Sequence, residues 1–323
     1  MSAPVMDPAA QDWFDRRTSW GPFREPTLLK EIKRTRGVGV TVCLPTLDEA
    51  PTVASICRRI RSELIEGWGL VDELIVVDSG STDDTCRLAA AEGARVYTAR
   101  DLVPHIPPDP SGSGKGDALW RSLSVIDNEI VVWLDADVTG FQSHVVTRLL
   151  EPLLSEEKVQ IAKGFYERPL NVEGRRHPTG GARVTELVVR PLLSLFYPEL
   201  TGVIQPLAGE YAGYTDAFRQ LPFFTGYGVE IGLLLDGVER FGLDAHAQVD
   251  LGVRVHRNRP TLELGLTAFE VMQVIFTRLE ESGRMKLADP LPAALVQFWP
   301  TEEGLLSKSA HSRVIERPPL DSL

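Results

Sequence analysis

The sequence predicts an α/β fold in which helices cover both faces of a mostly parallel sheet. Between residues 38 and 137, short apolar runs rich in β-branched residues alternate with stretches of helical periodicity, the pattern of parallel strands joined by helices. Three runs end in polar clusters, and sheets of this kind bind ligands beyond the carboxyl ends of their strands. The 43% hydrophobic and 24% charged contents are globular averages that argue against disorder, collagen or a coiled coil.

The predicted elements follow in order along the chain. Apolar runs predict strands at 38–44, 73–77, 94–98 and 129–134. Helical spacing predicts a helix after Pro51, a second from an N-cap at Thr82 to about 92, and a third at 117–125. In the second half, periodicity predicts helices at 186–195, 228–241 and 262–281, and a strand at 249–255. This order gives the first half the βαβ repeat of a parallel sheet.

The length of 323 residues suggests about two domains, or one large α/β domain with additions. We expect residues 1–35, which contain several prolines, to form an irregular N-terminal extension. Residues 36–260 would form the main domain, with a first half that ends near 140. Residues 261–323 would form a C-terminal helix and a Pro-rich tail, which are candidates for forming a homodimer.

The net charge of −11 makes a general nucleic-acid binder improbable. An acidic protein that handles an anionic ligand should concentrate its basic residues locally, and residues 163–190 do so, with six basic residues against three acidic ones. The three cysteines do not suggest a disulfide framework and fit a reducing compartment. Apolar runs stay well below the roughly 18 residues of a membrane helix, and residues 1–20 lack a signal-peptide core. We therefore expect a cytoplasmic protein that does not associate with membrane.

Asp135-Ala136-Asp137 is the first candidate site, because it follows the apolar strand at 129–134. Two carboxylates at a strand end can turn toward one ligand, and Mg²⁺ or Mn²⁺ is usually held by one or two carboxylates plus substrate phosphates. The alternative is two solvated loop acids. The position at a strand end, beside other polar clusters, favours the metal site.

Two further clusters and one loop extend this edge of the sheet. Glu49 could bind a ribose or base, or could cap the following helix, and Asp78 and Ser79 admit the same two interpretations. Lys115 stands between two glycines, which permit close approach of a ligand phosphate to its ammonium group, although a flexible solvated loop has the same composition.

Basic residues gather at two places in the second half. Arg183 follows a Gly-Gly pair just before a helix, where backbone N–H groups and a guanidinium make a phosphate site. Arg254 belongs to a second cluster, around His256, for which surface salt bridges are the alternative. His256 is a candidate metal ligand that would suit Mn²⁺ better than Mg²⁺. Glu230, near two glycines and Tyr227, is either a ligand contact or a first-turn acid favoured by the helix dipole.

These motifs resemble a known family. The segments at 45–49, 78–83 and 135–137 resemble the nucleotide-binding half of a GT-A glycosyltransferase. The segments at 180–187, 205–211, 227–232 and 252–260 are similar to the glucosyl-3-phosphoglycerate synthases of actinobacteria and the related mannosyl-3-phosphoglycerate synthases. The resemblance covers roughly residues 38–280. By contrast, the glycine-rich phosphate loops of dinucleotide oxidoreductases and P-loop NTPases do not follow any predicted strand.

The resemblance implies a retaining transfer of a hexose from a nucleoside-diphosphate sugar, such as GDP-mannose, GDP-glucose or UDP-glucose, to the 2-hydroxyl of D-3-phosphoglycerate. It implies contacts to the nucleotide sugar by Pro45, Thr46, Leu47, Glu49, Ser79, Lys115, Asp135, Ala136, Leu207 and Tyr227. It implies acceptor contacts by Ala182, Arg183, Val184, Thr185, Arg254 and Asn258, and metal ligation by Asp137 and His256. Glu230, Asp137 and Lys115 would be the catalytic residues. Thr46, Asp48 and Ala136 depart from the family pattern near the nucleotide, which leaves the base and donor open.

Three other functions share some of these features. A transferase onto a polyprenyl phosphate has similar N-terminal motifs but would be expected to associate with membrane. A sugar-1-phosphate nucleotidyltransferase needs a Gly-rich, Arg-containing loop after the first strand, where this chain has Pro-Thr-Leu-Asp-Glu. A nucleotide-sugar sensor would not need the set of acidic and basic residues described above.

Overall fold

The structure is a computed structural model that describes residues 6–107, 114–167, 169–172, 175–254, 260–302 and 304–323. Its helices are α1 (Pro8–Arg17), α2 (Pro26–Arg36), α3 (Val53–Arg59), α4 (Thr85–Ala91), α5 (Lys115–Ser122), α6 (His144–Ser155), α7 (Arg190–Phe196), α8 (Thr215–Arg219), α9 (Val229–Phe241) and α10 (Leu264–Glu281). Its strands are β1 (Thr18–Ser19), β2 (Val40–Thr46), β3 (Glu73–Asp78), β4 (Arg95–Thr98), β5 (Ile130–Trp133), β6 (Ile161–Glu167), β7 (Pro169–Val172), β8 (Arg175–Gly180), β9 (Tyr211–Tyr214), β10 (Phe223–Phe224), β11 (His246–Val253), β12 (Ala294–Thr301), β13 (Gly304–His311) and β14 (Glu316–Arg317).

The central sheet has eight strands in the order β1-β11-β6-β9-β5-β2-β3-β4. Strand β9 runs antiparallel to both of its neighbours, and the other pairs are parallel. The predicted mostly parallel sheet is therefore confirmed. Because β2, β3 and β5 are parallel neighbours, the polar residues that follow them are brought to one edge. Helix α3 continues into a π-helical turn at Ile60–Gly67, and α7 is preceded by one at Thr185–Val189.

Apolar side chains pack on both faces of the sheet and form two separate clusters. A third cluster lies where α9 and α10 pack together, and includes Ile231, Leu234, Val271 and Ile275. These are residues of the apolar faces that helical periodicity predicted for both helices. Burial of such side chains contributes roughly 1.5–3 kcal/mol each, so the third cluster holds the C-terminal helix firmly against the domain.

The expectation of an irregular segment at 1–35 was wrong. It contains α1 and α2, each with a proline in its first turn, where a missing N–H costs nothing. The carboxylate of Asp7 caps α1 by accepting from the N–H of Ala9 at 2.9 Å. Trp13 is buried and donates from Nε1 to the carbonyl oxygen of His246 at 2.9 Å. The N-terminal segment therefore packs against β11 of the sheet.

The residues after α10 also form regular strands, where the sequence predicted a Pro-rich tail. Strands β12 and β13 form an antiparallel hairpin, and β14 pairs with β10. The guanidinium of Arg317 donates to the carboxylate of Asp117 at 2.7 Å, and Trp120 Nε1 donates to the carbonyl oxygen of Pro318 at 2.8 Å. The C-terminal segment thus packs on α5 of its own chain. Among the described residues, no helix is both long and apolar enough to cross a bilayer.

Helix α4 begins two residues later than predicted. Thr82 is not its N-cap; instead, the backbone N–H and the hydroxyl of Thr82 donate to the carboxylate of Asp48, at 2.7 and 3.2 Å. Asp48 belongs to the loop after β2, so these bonds tie the first two strand-end loops together. The predicted N-cap therefore serves a contact between loops.

Candidate active site

A cleft of about 580 Å³ opens beyond the carboxyl ends of β2, β3 and β5. Most of the site residues expected from the sequence line it, although they come from seven separate stretches of chain. They are Pro45, Thr46, Leu47, Glu49, Ser79, Lys115, Asp135, Ala136, Asp137, Ala182, Arg183, Val184, Thr185, Leu207, Tyr227 and Glu230. Of the remaining expected residues, Arg254 is not among those lining the cleft, and His256 and Asn258 lie outside the described residues.

Lys115 is at the centre of the cleft's charge network. Its ammonium group forms ion pairs with Asp135 and with Glu230, the latter at 2.7 Å. Burial disfavours the charged ammonium, but the two carboxylates outweigh this effect and raise the pKa of Lys115 well above its usual value. Lys115 therefore presents a fixed positive charge that joins the end of β5 to the first turn of α9.

The glycines on both sides of Lys115 allow close packing of the backbone around it. A Cβ on Gly114 would lie 2.5 Å from the backbone nitrogen of Gly226, and one on Gly116 would collide with the carbonyl oxygen of Phe224. The glycines beside Lys115 therefore let two backbone segments pack together, rather than giving a loose loop or simply room for a ligand. A Cβ on Gly209 would lie 2.5 Å from a carboxylate oxygen of Asp135. The sequence offered no signal for Gly209, since its role depends on a distant contact.

Arg254 is buried and contacts both Asp135 and Asp137. Its guanidinium donates to Asp135 at 3.1 Å, to Asp137 at 3.2 Å and to the hydroxyl of Tyr166 at 2.9 Å, and it pairs with buried Glu210. Burial opposes the ionisation of Asp135, but Lys115 and Arg254 hold the pKa of Asp135 below its usual value. Arg254 thus helps to keep Asp135 ionised and holds both carboxylates in place. Its predicted acceptor contact stays a prediction.

Asp135 and Asp137 are the candidate metal ligands in the described part of the chain. The Asp137 side chain is 48% exposed and the Asp135 side chain 25%. Both offer the hard oxygen donors that Mg²⁺ and Mn²⁺ prefer, with room for substrate phosphates. Among the described residues, no three His, Cys, Asp or Glu side chains converge closely enough to hold a metal by themselves. Two carboxylates open to a cleft fit a metal that shares its coordination with a bound substrate.

Asp78 does not line the cleft, so for this residue the structural interpretation holds. It is buried and accepts from the hydroxyl of Thr46 at 3.0 Å and from the backbone N–H of Gly80 and Ser81 at 2.9 and 2.8 Å. Burial opposes its ionisation, but the hydrogen bonds lower its pKa. Asp78 therefore shapes the loop that carries Ser79 into the cleft.

Arg183 and its neighbours form one wall of the cleft. Residues 182–185 lead into the helical turns that begin at Thr185, so backbone N–H groups of the helix start accompany the guanidinium. Arg183 Nη1 donates to the hydroxyl of Thr261 at 2.7 Å, just before α10. This wall has the composition expected for a phosphate site.

The sequence interpretation missed the part of the cleft that the C-terminal segment supplies. Its residues are Leu264, Leu266, Thr267, Glu270, His311 and Ser312. Glu270 is the most informative of these, because it is a buried acid beside the apolar face of α10. An acid at such a position is expensive to bury without partners, and that signal could have identified it.

Comparisons with known proteins agree with this geometry. The sequence model of glycosyl transferase family 2 matches residues 41–220. The glucosyl-3-phosphoglycerate synthase of Mycolicibacterium smegmatis is 44% identical over 289 residues, which cover 89% of this chain and 90% of the relative. The chain belongs to glycosyl transferase family 2, among the glucosyl- and mannosyl-3-phosphoglycerate synthases. A family 2 enzyme has the GT-A fold, so both the predicted fold and the glycosyltransferase class are confirmed.

Solved structures of the family extend the comparison. The mannosyl-3-phosphoglycerate synthase of Rubrobacter xylanophilus has a TM-score of 0.89 at 36% identity, over 99% of this chain and 100% of that one. The glucosyl-3-phosphoglycerate synthase of Mycobacterium tuberculosis, in complex with Mn²⁺, UDP and phosphoglyceric acid, has a TM-score of 0.82 at 42% identity, over 95% and 98%. This synthase family therefore includes both a glucosyl and a mannosyl enzyme that resemble the chain along nearly its whole length.

Proposed function

We propose that the protein transfers a hexosyl group from a nucleoside-diphosphate sugar to the 2-hydroxyl of D-3-phosphoglycerate, with retention at the anomeric carbon. The observation that carries this proposal is the cleft of about 580 Å³ whose lining includes both Asp135 and Asp137 and also Arg183. A diphosphate donor with a divalent metal calls for such carboxylates, and a phosphorylated acceptor calls for such a guanidinium. The M. tuberculosis relative with Mn²⁺, UDP and phosphoglyceric acid supports the pairing of ligands.

The donor side follows from charge. Breaking the glycosidic bond leaves negative charge on the departing diphosphate, and the fixed ammonium of Lys115 stabilises it without reorganising. Asp137, with Asp135 and the predicted ligand His256, would hold a divalent cation. When bound, that cation neutralises the leaving group further. The fit of the carboxylates to Mg²⁺ or Mn²⁺ supports this assignment, and the M. tuberculosis relative has been solved with each metal.

The sugar would lie between Tyr227, Leu207 and Glu230. Because Glu230 is paired with Lys115 at 2.7 Å, we assign it to orienting the sugar and stabilising its developing positive charge. The proposed transfer occurs on one face of the sugar, without a glycosyl bond to the protein. A glycosyl adduct on Glu230, found by mass spectrometry, would contradict this mechanism.

A donor panel tests the function. UDP-glucose, GDP-glucose and GDP-mannose are each incubated with 3-phosphoglycerate and Mg²⁺ or Mn²⁺, and the product is identified by NMR, including its anomeric configuration. We expect a retained glycoside on the 2-hydroxyl with at least one donor. The matched control is 2-phosphoglycerate, whose 2-hydroxyl is blocked by phosphate and which should give no product. Turnover only with a polyprenyl phosphate, or nucleotide binding without transfer, would favour the other functions.

The three cysteines are free, as expected for a protein in a reducing compartment, and this supports a cytoplasmic location.

A further inference from the structure

Glu270 occupies a position that the sequence motifs do not assign. It lies in the second turn of α10, is 7% exposed and contributes to the cleft. One carboxylate oxygen accepts from the backbone N–H of Tyr227 at 2.8 Å, and the other accepts from the hydroxyl of Ser312 at 2.6 Å. Both carboxylate oxygens are therefore committed to two other segments of the chain.

The contact with the turn at 226–228 is close on both sides. Gly226 has φ of +71°, a backbone conformation that favours glycine, and a Cβ there would lie 2.6 Å from Glu270 Oε2. A Cβ on Gly228 would collide with the side chain of Val274, one turn further along α10. The turn that carries Tyr227 and leads into Glu230 is therefore shaped against α10.

The segment around Ser312 continues along the same turn. The backbone N–H of Thr225 donates to the carbonyl oxygen of Ile315 at 2.8 Å, and the backbone N–H of Ile315 donates to the hydroxyl of Thr225 at 2.9 Å. Ser312 and Ile315 thus lie beside the residues that precede Gly226. Glu270 joins this C-terminal segment to the turn at the point where both reach the cleft.

We propose that Glu270 is a positioning residue for the transfer: its two hydrogen bonds hold the Tyr227–Glu230 turn in the geometry that meets the donor sugar. The proposal rests on the proposed function for what the turn binds. Helix α10 also begins beside Thr261, which accepts a hydrogen bond from Arg183. Helix α10 and the residues that lead into it therefore contact both the turn that carries Tyr227 and the side chain of Arg183.

The chemistry of the two partners gives a sharp test. A backbone N–H can only donate, whereas a serine hydroxyl can donate or accept. In Glu270→Gln, the amide oxygen can accept from Tyr227 and the amide NH₂ can donate to Ser312 after its hydroxyl rotates. Both contacts survive without the negative charge. Glu270→Ala loses both, and Ser312→Ala loses one.

We expect Glu270→Ala to lower kcat about 10- to 100-fold, as misplacement of reacting groups by about 1 Å does, with the KM for 3-phosphoglycerate within about threefold of wild type. Glu270→Gln should retain kcat within about threefold, and Ser312→Ala should fall between. The matched control is Glu280→Ala, which removes an exposed acid from the same helix. Wild-type kcat in folded Glu270→Ala would overturn the proposal, and so would a Glu270→Gln variant as slow as Glu270→Ala.

A second measurement does not depend on activity. Hydrogen exchange followed by mass spectrometry on the free protein should show faster exchange at 225–230 in Glu270→Ala than in wild type, Glu270→Gln or Glu280→Ala. Unchanged exchange in Glu270→Ala would also overturn the proposal. If instead the donor panel finds no transfer while the exchange at 225–230 responds as expected, the proposed function fails and the positioning contact stands. If Glu270→Ala does not fold, Ser312→Ala carries both measurements.

Discussion

The ammonium group of Lys115 lies 2.7 Å from the carboxylate of Glu230 and also pairs with Asp135. The three residues come from α5, α9 and the loop after β5. Glu230 is buried, so it would lose this ion pair without the lysine, and a buried charge that loses its partner is costly. The pair therefore organises the cleft as well as offering positive charge to a leaving group.

Replacing Lys115 by methionine should lower kcat by about 10²- to 10³-fold, the effect of removing one preorganised electrostatic group. Glu230→Gln should lower kcat as well, and the double variant should lose less than the product of the two single effects, because each single change disrupts the same pair. Steady-state kinetics of the wild type, the two single variants and the double variant give the coupling energy between Lys115 and Glu230 directly. Strict additivity would show that Lys115 and Glu230 act independently.

Asp137→Ala should prevent the binding of Mn²⁺ in the presence of nucleoside diphosphate and should abolish turnover. The physical reason is that the site in the described residues has too few ligands to hold a metal after one carboxylate is lost. Mn²⁺ binding can be followed by electron paramagnetic resonance, with Asp216→Ala, an exposed surface change, as the control. Full activity in excess chelator would contradict the metal assignment.

Arg183→Ala should raise the KM for 3-phosphoglycerate by about 10- to 100-fold, because a hydrogen bond to a charged group contributes about 1.5–3 kcal/mol. Its kcat should change much less, since the proposed role of Arg183 is to bind the acceptor phosphate and not to act on the bond that breaks. Arg87→Ala, an exposed arginine paired with Asp84, is the control. An unchanged acceptor KM in Arg183→Ala would remove this residue from the acceptor site.

Stability should fall in acid because of His246. Burial lowers the pKa of His246 to about 4, below the usual value of 6.5. Between these values the unfolded chain binds a proton that the folded chain does not, so the free energy of unfolding decreases as pH falls from about 6.5 to about 4. The contribution reaches about 3 kcal/mol at 1.36 kcal/mol per unit.

Urea unfolding at several pH values can measure this dependence. His246→Gln should flatten it over pH 4–6.5, while His105→Gln, which changes an exposed histidine, should leave it as in wild type. The same pH dependence in wild type and His246→Gln would assign the acid sensitivity to other groups.

The β12–β13 hairpin exposes large apolar side chains, including Phe298 at 61% and Leu305 at 73%. Apolar patches of this kind mark interaction sites, and we predict that the hairpin contributes to a homodimer. Phe298→Asp should increase the monomer fraction in size-exclusion chromatography with light scattering. Leu28→Asp, at an exposed leucine on α2, should not. A wild-type protein that is monomeric at micromolar concentration would contradict the prediction.

The strand-end part of the site could be predicted because parallel strands bring the residues after them to one edge. Glu49, Ser79, Asp135 and Asp137 each follow an apolar run, and the pattern needs no knowledge of long-range contacts. Local sequence also indicated Arg183 as a phosphate ligand and the family resemblance assigned it to the acceptor, but its place in the same cleft depends on how the second half folds. Strand β9 was not predicted at all, and its antiparallel direction could not have been, because a short run of residues carries no sign of strand direction.

Other features depended on contacts that sequence patterns do not encode. Prolines at 8 and 26 suggested irregular structure, yet each begins a helix whose stability comes from packing on the sheet. The β12–β13 hairpin carries apolar residues on an exposed surface, and neither strand contains a buried residue. It therefore lacks the alternation of buried and solvated positions that indicates a strand. Glu270 and Gly209 are single residues, and their roles appear only when distant segments meet.

Two contacts made by the residues after α10 have a consequence for biosynthesis: Ser312 with Glu270, and Arg317 with Asp117. Asp117 lies in the first turn of α5, two residues after Lys115, and Ser312 completes the contacts of Glu270. A nascent chain on the ribosome cannot form this geometry until the residues near 312–317 have emerged. A ligand whose binding needs the whole cleft could therefore stabilise the fold only after these residues have joined it.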